Sequence, residues 1–434
     1  LCASTGAFGR ELFVGANGEF SSLTDAICSA KAGDVIHLPA GVYQEPVENY
    51  PIEIDVSLTI IGEPGTILKG AAFKAILNVN ASNVTIENVE MHILRWGIVN
   101  TGDELTLKNC RFLLADPAHR VSSNGVWLAG VKGVNISDCK FEGCGICIAG
   151  PPLSASSKGL SVLTGLFEVG EDLEFFTTHT IENNSVNGKP FYYFVNEPQL
   201  KAPLDAGGLI AVACNNAIIQ GVDVSDNSMG IQLVYSDDVV ISDVTANRCG
   251  IFGVYVAKSK RPLLRNVRSA QSNHGIDLRA VQNAYVTDCE TFRCEQGIFL
   301  SMATDSIVDN SRVLQGGSGV FVAAGARNQL SGSLVEGNGN GVYIQNETDM
   351  LITNNLILEN TVAGIRFLRS SGQVISNELL QNWVGLLAAE NEPLAVYGNS
   401  FLGTECTALY LRDIKSGKIS YNSFDESGQT ALEL

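Results

Sequence analysis

The chain reads as an all-β protein, a single-stranded right-handed parallel β-helix with about 22 residues and three short strands per rung and a short N-terminal capping helix. Two observations carry this reading. A motif of small residue, aliphatic, any residue, apolar starts at Gly230, Gly253, Gly275, Gly297, Gly319, Gly341, Gly364, Gly385, Ala408 and Ala431, at steps of 21 to 23 residues. Between copies lies a strand, a polar turn and a third strand, as in "VTIENVEM" (84–91), "LTLKNCRF" (105–112), "VNISDCKF" (134–141) and "VVISDVTA" (239–246). Each run is too short for a helix, and each rung must bury its inward side chains against its neighbours. A leucine-rich repeat has a similar period but needs a Leu and Asn consensus that is missing.

The elements follow in chain order. Leu23-Thr24-Asp25-Ala26-Ile27-Cys28-Ser29-Ala30 predicts a short amphipathic helix ending at Gly33, placed to hide the strand edges of the first rung. "GDVIHLPAGVYQE" (33–45) then supplies two short strands around Pro39-Ala40-Gly41. Residues 1–45 are thus cap and first strands, and 46–434 the β-helix. Earlier copies of the motif start at Gly97, Gly125, Gly145 and Gly208, separated by insertions at about 113–124, 149–178 and 188–207. Insertions of this size in a tight solenoid are usually functional, and all three adjoin the same strand column.

The residue after the polar turn changes from Val89, Cys110 and Cys139 through Ser311 and Ser333 to Asn355, Asn377, Asn399 and Asn422. Four asparagines in neighbouring rungs predict a stacked amide ladder. Cys110 and Cys139 fall in successive rungs, about 4.8 Å apart at Cα. Parallel side chains suit a disulfide torsion poorly, so free buried thiols are expected. At the far end, Ala431-Leu432-Glu433-Leu434 repeats Ala408-Leu-Tyr-Leu with nothing to cover it. This rung is expected to continue into, or dock on, another domain or chain.

Composition narrows the class. Hydrophobic residues make up 45% and charged residues 17%, which excludes disorder. A net charge of −18 argues against a nucleic-acid partner. No apolar run is long enough to span a membrane. The chain does not begin with Met and shows no signal peptide, as in a processed or trimmed polypeptide. Eleven cysteines is an odd count, and Cys144-Gly-Ile-Cys147 is a C-x-x-C without the second pair zinc would need.

Followed by "SLTIIGEPGTILKG" (57–70), the 33–45 stretch resembles the start of pectate-lyase-like β-helix proteins. The repeats, with "HTIENNSVNGKPFYYFVNE" (179–197), resemble the NosD/CASH group of carbohydrate-binding and sugar-hydrolase β-helices. The resemblance covers nearly the whole chain. It implies the fold; such solenoids host lyases, epimerases, hydrolases, copper-delivery accessories and surface scaffolds. "DPAHR" (116–120) is similar to an Asp-Pro-His motif of β-helix alginate epimerases, but Ala118 displaces the His, and its roles are not carried over.

Within Gly-aliphatic-x-apolar, the residue at x points outward because strand side chains alternate. This column includes Trp127, Gln232, Tyr255, Asp277, Phe299, Phe321, Tyr343 and Arg366. An exposed row of rings can offer stacking faces to successive sugars, and the insertions would add His119 and Arg120. Between 251 and 300, Lys258, Lys260, Arg261, Arg265, Arg268, Arg279 and Arg293 form a local excess of positive charge. A lyase or epimerase acting on uronic acids needs a cation for the carboxylate, a base and an acid. Arg279, Asp277 and His274 are the candidates. The bland reading is a solvated charged edge.

Metal signals are thin. Five scattered histidines lack ligand spacing, and Met229 and His274 lie two rungs apart, too far for one copper. No cofactor is read, although a calcium site from carboxylates on neighbouring rungs stays open. The expectation is an extracytoplasmic or cell-surface β-helix that binds, and in its enzymatic version processes, an acidic polysaccharide. The alternative is a non-catalytic surface scaffold, S-layer or adhesin-like, or a copper-delivery accessory.

Overall fold

The structure is a computed structural model and describes residues 9–15, 18–72, 74–116, 118, 122–151, 172–390, 393–426, 428 and 430–433. The chain divides into two units: Leu1–Tyr193 with Ala206–Leu209 and Asp226–Met229, and Phe194–Asp205 with Ile210–Ser225 and Gly230–Leu434. Both are built of stacked parallel strands, as the repeat predicts.

In the first unit, one stack runs through Glu11–Phe13, Asp34–Leu38, Leu58–Gly62, Thr85–Glu87, Thr106–Lys108, Asn135–Ser137 and Thr180–Glu182. A second runs through Ile52–Ile54, Ala75–Val79, Trp96–Asn100, Asn124–Ala129 and Ile146–Ala149. The predicted helix is present at Leu23–Ser29, with Ser22 Oγ accepting from the Asp25 N–H, and it buries Leu23, Ala26 and Ile27. The outer edge of Asp34–Leu38 is taken by the strand Glu11–Phe13, which sequence reasoning did not assign. The 188–207 insertion holds the strand Lys189–Val195, antiparallel to Ser185–Val186. Most of the 149–178 insertion lies outside the described residues.

In the second unit the motif strands stack in strict register. They are Phe252–Ala257, His274–Arg279, Gln296–Ser301, Ser318–Ala323, Asn340–Gln345, Ala363–Leu368, Val384–Ala389, Thr407–Arg412 and Thr430–Glu433. Ile276, Ile298, Val320, Val342, Ile365, Leu386 and Leu409 form one inward file, each 0% exposed. Each such side chain contributes about 1.5–3 kcal/mol by burial. The motif's small residue has a steric cause: a Cβ at Gly253 would lie 2.5 Å from the Gly275 carbonyl oxygen of the next rung. At the last rung, Ile419, Phe424 and Leu432 are 38%, 36% and 42% exposed, whereas their register partners Val396, Phe401 and Leu409 are fully buried.

The asparagine ladder forms. The Asn355 N–H and Nδ2 donate to Asn377 Oδ1, Asn377 Nδ2 to Asn399 Oδ1, and Asn399 Nδ2 to Asn422 Oδ1, at 2.9 to 3.0 Å. A second ladder through Asn338, Asn360 and Asn382 was not foreseen. The described cysteines, Cys110, Cys139 and Cys289 among them, are free thiols, as expected.

Candidate functional site

The motif strands of the second unit carry three outward files. The first holds His274, Gln296, Ser318 and Asn340; the middle one Tyr255, Asp277, Phe299, Phe321, Tyr343 and Arg366; the third Arg279, Ser301, Ala323 and Gln345. Strand pleating sets these files, because residues two apart share a face. The face changes character along its length.

At one end lies a closed charged cluster. Arg279 Nε donates to Asp277 Oδ1 at 2.7 Å and Nη2 to Oδ2 at 2.9 Å. His274 Nδ1 lies 2.7 Å from Oδ2, close in distance but out of line for a hydrogen bond. The guanidinium packs against Phe252, Tyr255 and Phe299, 5.2 to 5.9 Å from the ring centroids. Asp277 is 0% exposed, and His274 and Arg279 are also buried. Burial alone would raise the Asp277 carboxyl; the adjacent Arg279 and His274 outweigh it and hold the group below its ordinary value. The structure thus unites His274, Asp277 and Arg279 as an internal ion pair, with both carboxylate oxygens bound by Arg279. A carboxylate so engaged is a weak base.

Beyond this cluster the face opens. Phe299, Phe321 and Tyr343 are half-buried, with centroids 5.0 Å and 4.8 Å apart along the file. The Phe321 and Tyr343 planes meet at only 6°, so the rings cover one another's faces and present their edges outward. The Arg366 guanidinium carbon lies 4.8 Å from the Tyr343 centroid. Gln296 Oε1 and Asn340 Oδ1, in the flanking file, are buried acceptors without a hydrogen-bond partner.

Several expectations are corrected by this geometry. The column is not uniformly exposed: Gln232 and Tyr255 are buried, since rings at rung spacing shield their neighbours. Trp127 belongs to the first unit, where it is buried and stacked on Trp96 at 6.1 Å in the file Glu53, Asn78, Val99, Trp127, Cys147. The positive cluster of 251–300 does not gather on one face. Arg265 and Arg268 lie on the other two strand stacks, and Arg261 pairs with Asp238 at 2.6 Å. Lys258 is half-buried in the turn after Phe252–Ala257. His119 and Arg120 lie outside the described residues. Sequence reasoning missed Gln296 and Asn340; their signal was the polar residue placed immediately before the motif glycine.

Three parallel strand stacks per rung, with one outward face of rings and amides, define a right-handed parallel β-helix protein. The sequence profile of periplasmic copper-binding protein (NosD) matches residues 203–330 and 303–434, and that of a protein of unknown function (DUF1565) matches 9–244. The chain belongs to the NosD family. No curated protein sequence matches it. Among solved structures it is similar to a variant of the periplasmic alginate epimerase AlgG, at 11% identity over 92% of this chain and 85% of that one, with a TM-score of 0.36. Tailspike protein 3 of bacteriophage CBA120 matches at 12% identity over 93% and 59%, TM-score 0.33. PfbA, a surface adhesin of Streptococcus pneumoniae, matches at 11% over 94% and 88%, TM-score 0.28. Among the described residues no helix is long and apolar enough to cross a membrane.

Proposed function

We propose that the half-open face of the second unit binds an extended polysaccharide, outside the cytoplasm as the family's periplasmic description suggests. One observation carries this: a file of half-buried rings, Phe299, Phe321 and Tyr343, runs in register beside the open acceptors of Gln296 and Asn340. Ring edges offer apolar contact to sugar C–H groups, and sugar hydroxyls are the donors those acceptors lack. Rungs repeat at about 4.8 Å, close to the length of one sugar residue in an extended chain. The reading is one of binding, because the Asp277 carboxylate is sequestered by Arg279.

The family is described as copper-binding. Copper sites use imidazole and thiolate ligands. Among the described residues no three His, Cys, Asp or Glu side chains form a group that could hold a metal ion. His37, His92, His179 and His274 lie apart, each against its own neighbour. These donors do not fit a copper centre.

A panel of neutral and acidic polysaccharides, titrated calorimetrically, tests the proposal. At least one should bind, and Phe321→Ala and Tyr343→Ala should each weaken it about tenfold. The same mixtures, followed for unsaturated products by ultraviolet absorbance and for new reducing ends, report any processing. Wild-type affinity in both variants would refute the ring file as the binding surface.

A further inference from the structure

We infer that Arg366 recognises an oxyanion substituent, a carboxylate or a sulfate, on the bound sugar chain; this rests on the reading that the face binds a glycan. The residue stands in the middle file one rung beyond Tyr343, half-buried, with its guanidinium over the tyrosine ring. Its Nε is buried and makes no hydrogen bond.

No counter-ion comes from its own face. Its file neighbours are Tyr343 and Leu387, and the flanking files supply Ala363 beside Asn340 and Leu368 beside Gln345, all uncharged. Elsewhere in the unit, Arg261, Arg279 and Arg327 each sit on an aspartate at 2.6 to 2.7 Å. In a chain with 46 acidic residues against 28 basic ones, a carboxylate was the easiest partner to supply. Arg366 has none on this face. Stacking on Tyr343 fixes the guanidinium plane and strips water from one side of it. The N–H groups in that plane then match the paired oxygens of a carboxylate or sulfate bidentately. Arg279 cannot do this work, because Asp277 already occupies its fork. The positive residue the sequence offered for anion binding is therefore internally neutralised, and Arg366 takes its place.

The test compares a polyuronate, the same polymer with its carboxyl groups reduced to alcohols, and a sulfated polysaccharide. Wild-type protein should bind at least one anionic polymer about tenfold more tightly than the reduced one, a preference that fades with salt. Arg366→Met should abolish the preference, leave affinity for the reduced polymer unchanged, and leave the unfolding midpoint unchanged. Arg366→Lys should keep part of the preference. Which anionic polymer shows the effect tells carboxylate from sulfate. Equal affinity for charged and reduced chains, or an intact preference in Arg366→Met, overturns the assignment while glycan binding stands. No binding to any of the three removes both.

Discussion

Asn377 and Asn340 are the same residue in the same unit, with opposite hydrogen-bond balances. Inside the ladder, Asn377 Nδ2 donates to the Ile352 and Ile375 carbonyls and to Asn399 Oδ1, and its Oδ1 accepts from the Asn355 N–H and Nδ2. On the outward face, Asn340 Oδ1 is just as removed from water yet accepts nothing, and Gln296 Oε1 and Arg366 Nε share its condition. A buried polar atom without a partner costs about 1–3 kcal/mol. The solenoid can satisfy its amides, because it does so rung after rung in two ladders. Where it does not, the missing partner is best sought outside the chain.

The sharpest way to break this contrast is to remove a ladder member. Asn377→Ala deletes the donors and acceptors above and strands the Asn355 N–H and Nδ2 in the interior. It should cost about 4 kcal/mol, read as a lower denaturant midpoint. A loss under 1 kcal/mol would mean that water or a shifted rung replaces the ladder, and that satisfaction inside the solenoid counts for less than argued.

Glu347 sharpens the comparison from within. It is 2% exposed, with Oε2 accepting from the Gly325 N–H and Oε1 from Asn328 Nδ2, both at 2.7 Å. It stands in a turn where Ser236, Ser259 and Ser370 occupy the equivalent places in other rungs and bond the N–H of the rung before. Burial pushes its carboxyl up to about 7, against the pull of those two donors. From about 4.5 to 7 the folded state therefore keeps a proton that the unfolded state releases. Stability should be full below that window and fall by about 2–3 kcal/mol as pH rises through it. Glu347→Gln should flatten this slope in urea titrations between pH 5 and 8. Parallel profiles for the two proteins would show that the carboxylate is tolerated when charged.

The rung was legible because its cause is local. The motif glycine must be small where the next carbonyl approaches, and the inward residues must be apolar. The ladder from Asn355 to Asn422 was legible because one residue type recurs after one kind of turn. Asn338, Asn360 and Asn382 were not, since they precede Gly, Thr and Trp and read as ordinary turn residues. On the outward face, alternation gave the direction of each side chain but not its exposure. Tyr255 points outward and is still buried, because neighbouring rungs bring Arg279 and Phe252 against it. Asp277 and Arg279, two apart on one strand, share a face, so their mutual neutralisation followed from spacing alone. The first unit's Trp127 differs from the second unit's rings in its setting, which no motif encodes.

The smallest expected effect is the most discriminating. Asn340→Ala removes an acceptor that has no partner in the protein, so it forfeits no hydrogen bond at that atom and relieves its desolvation. Stability should stay within about 0.5 kcal/mol of wild type, the range of ordinary surface changes. Affinity for the glycan that binds best should nevertheless fall several-fold, because a sugar hydroxyl loses its acceptor. The two readouts separate the roles that Asn377 and Asn340 are assigned. The ladder residue should move stability, and the face residue should move binding. If Asn340→Ala destabilises as much as Asn377→Ala, Oδ1 has a partner within the fold, and the distinction between the two asparagines disappears.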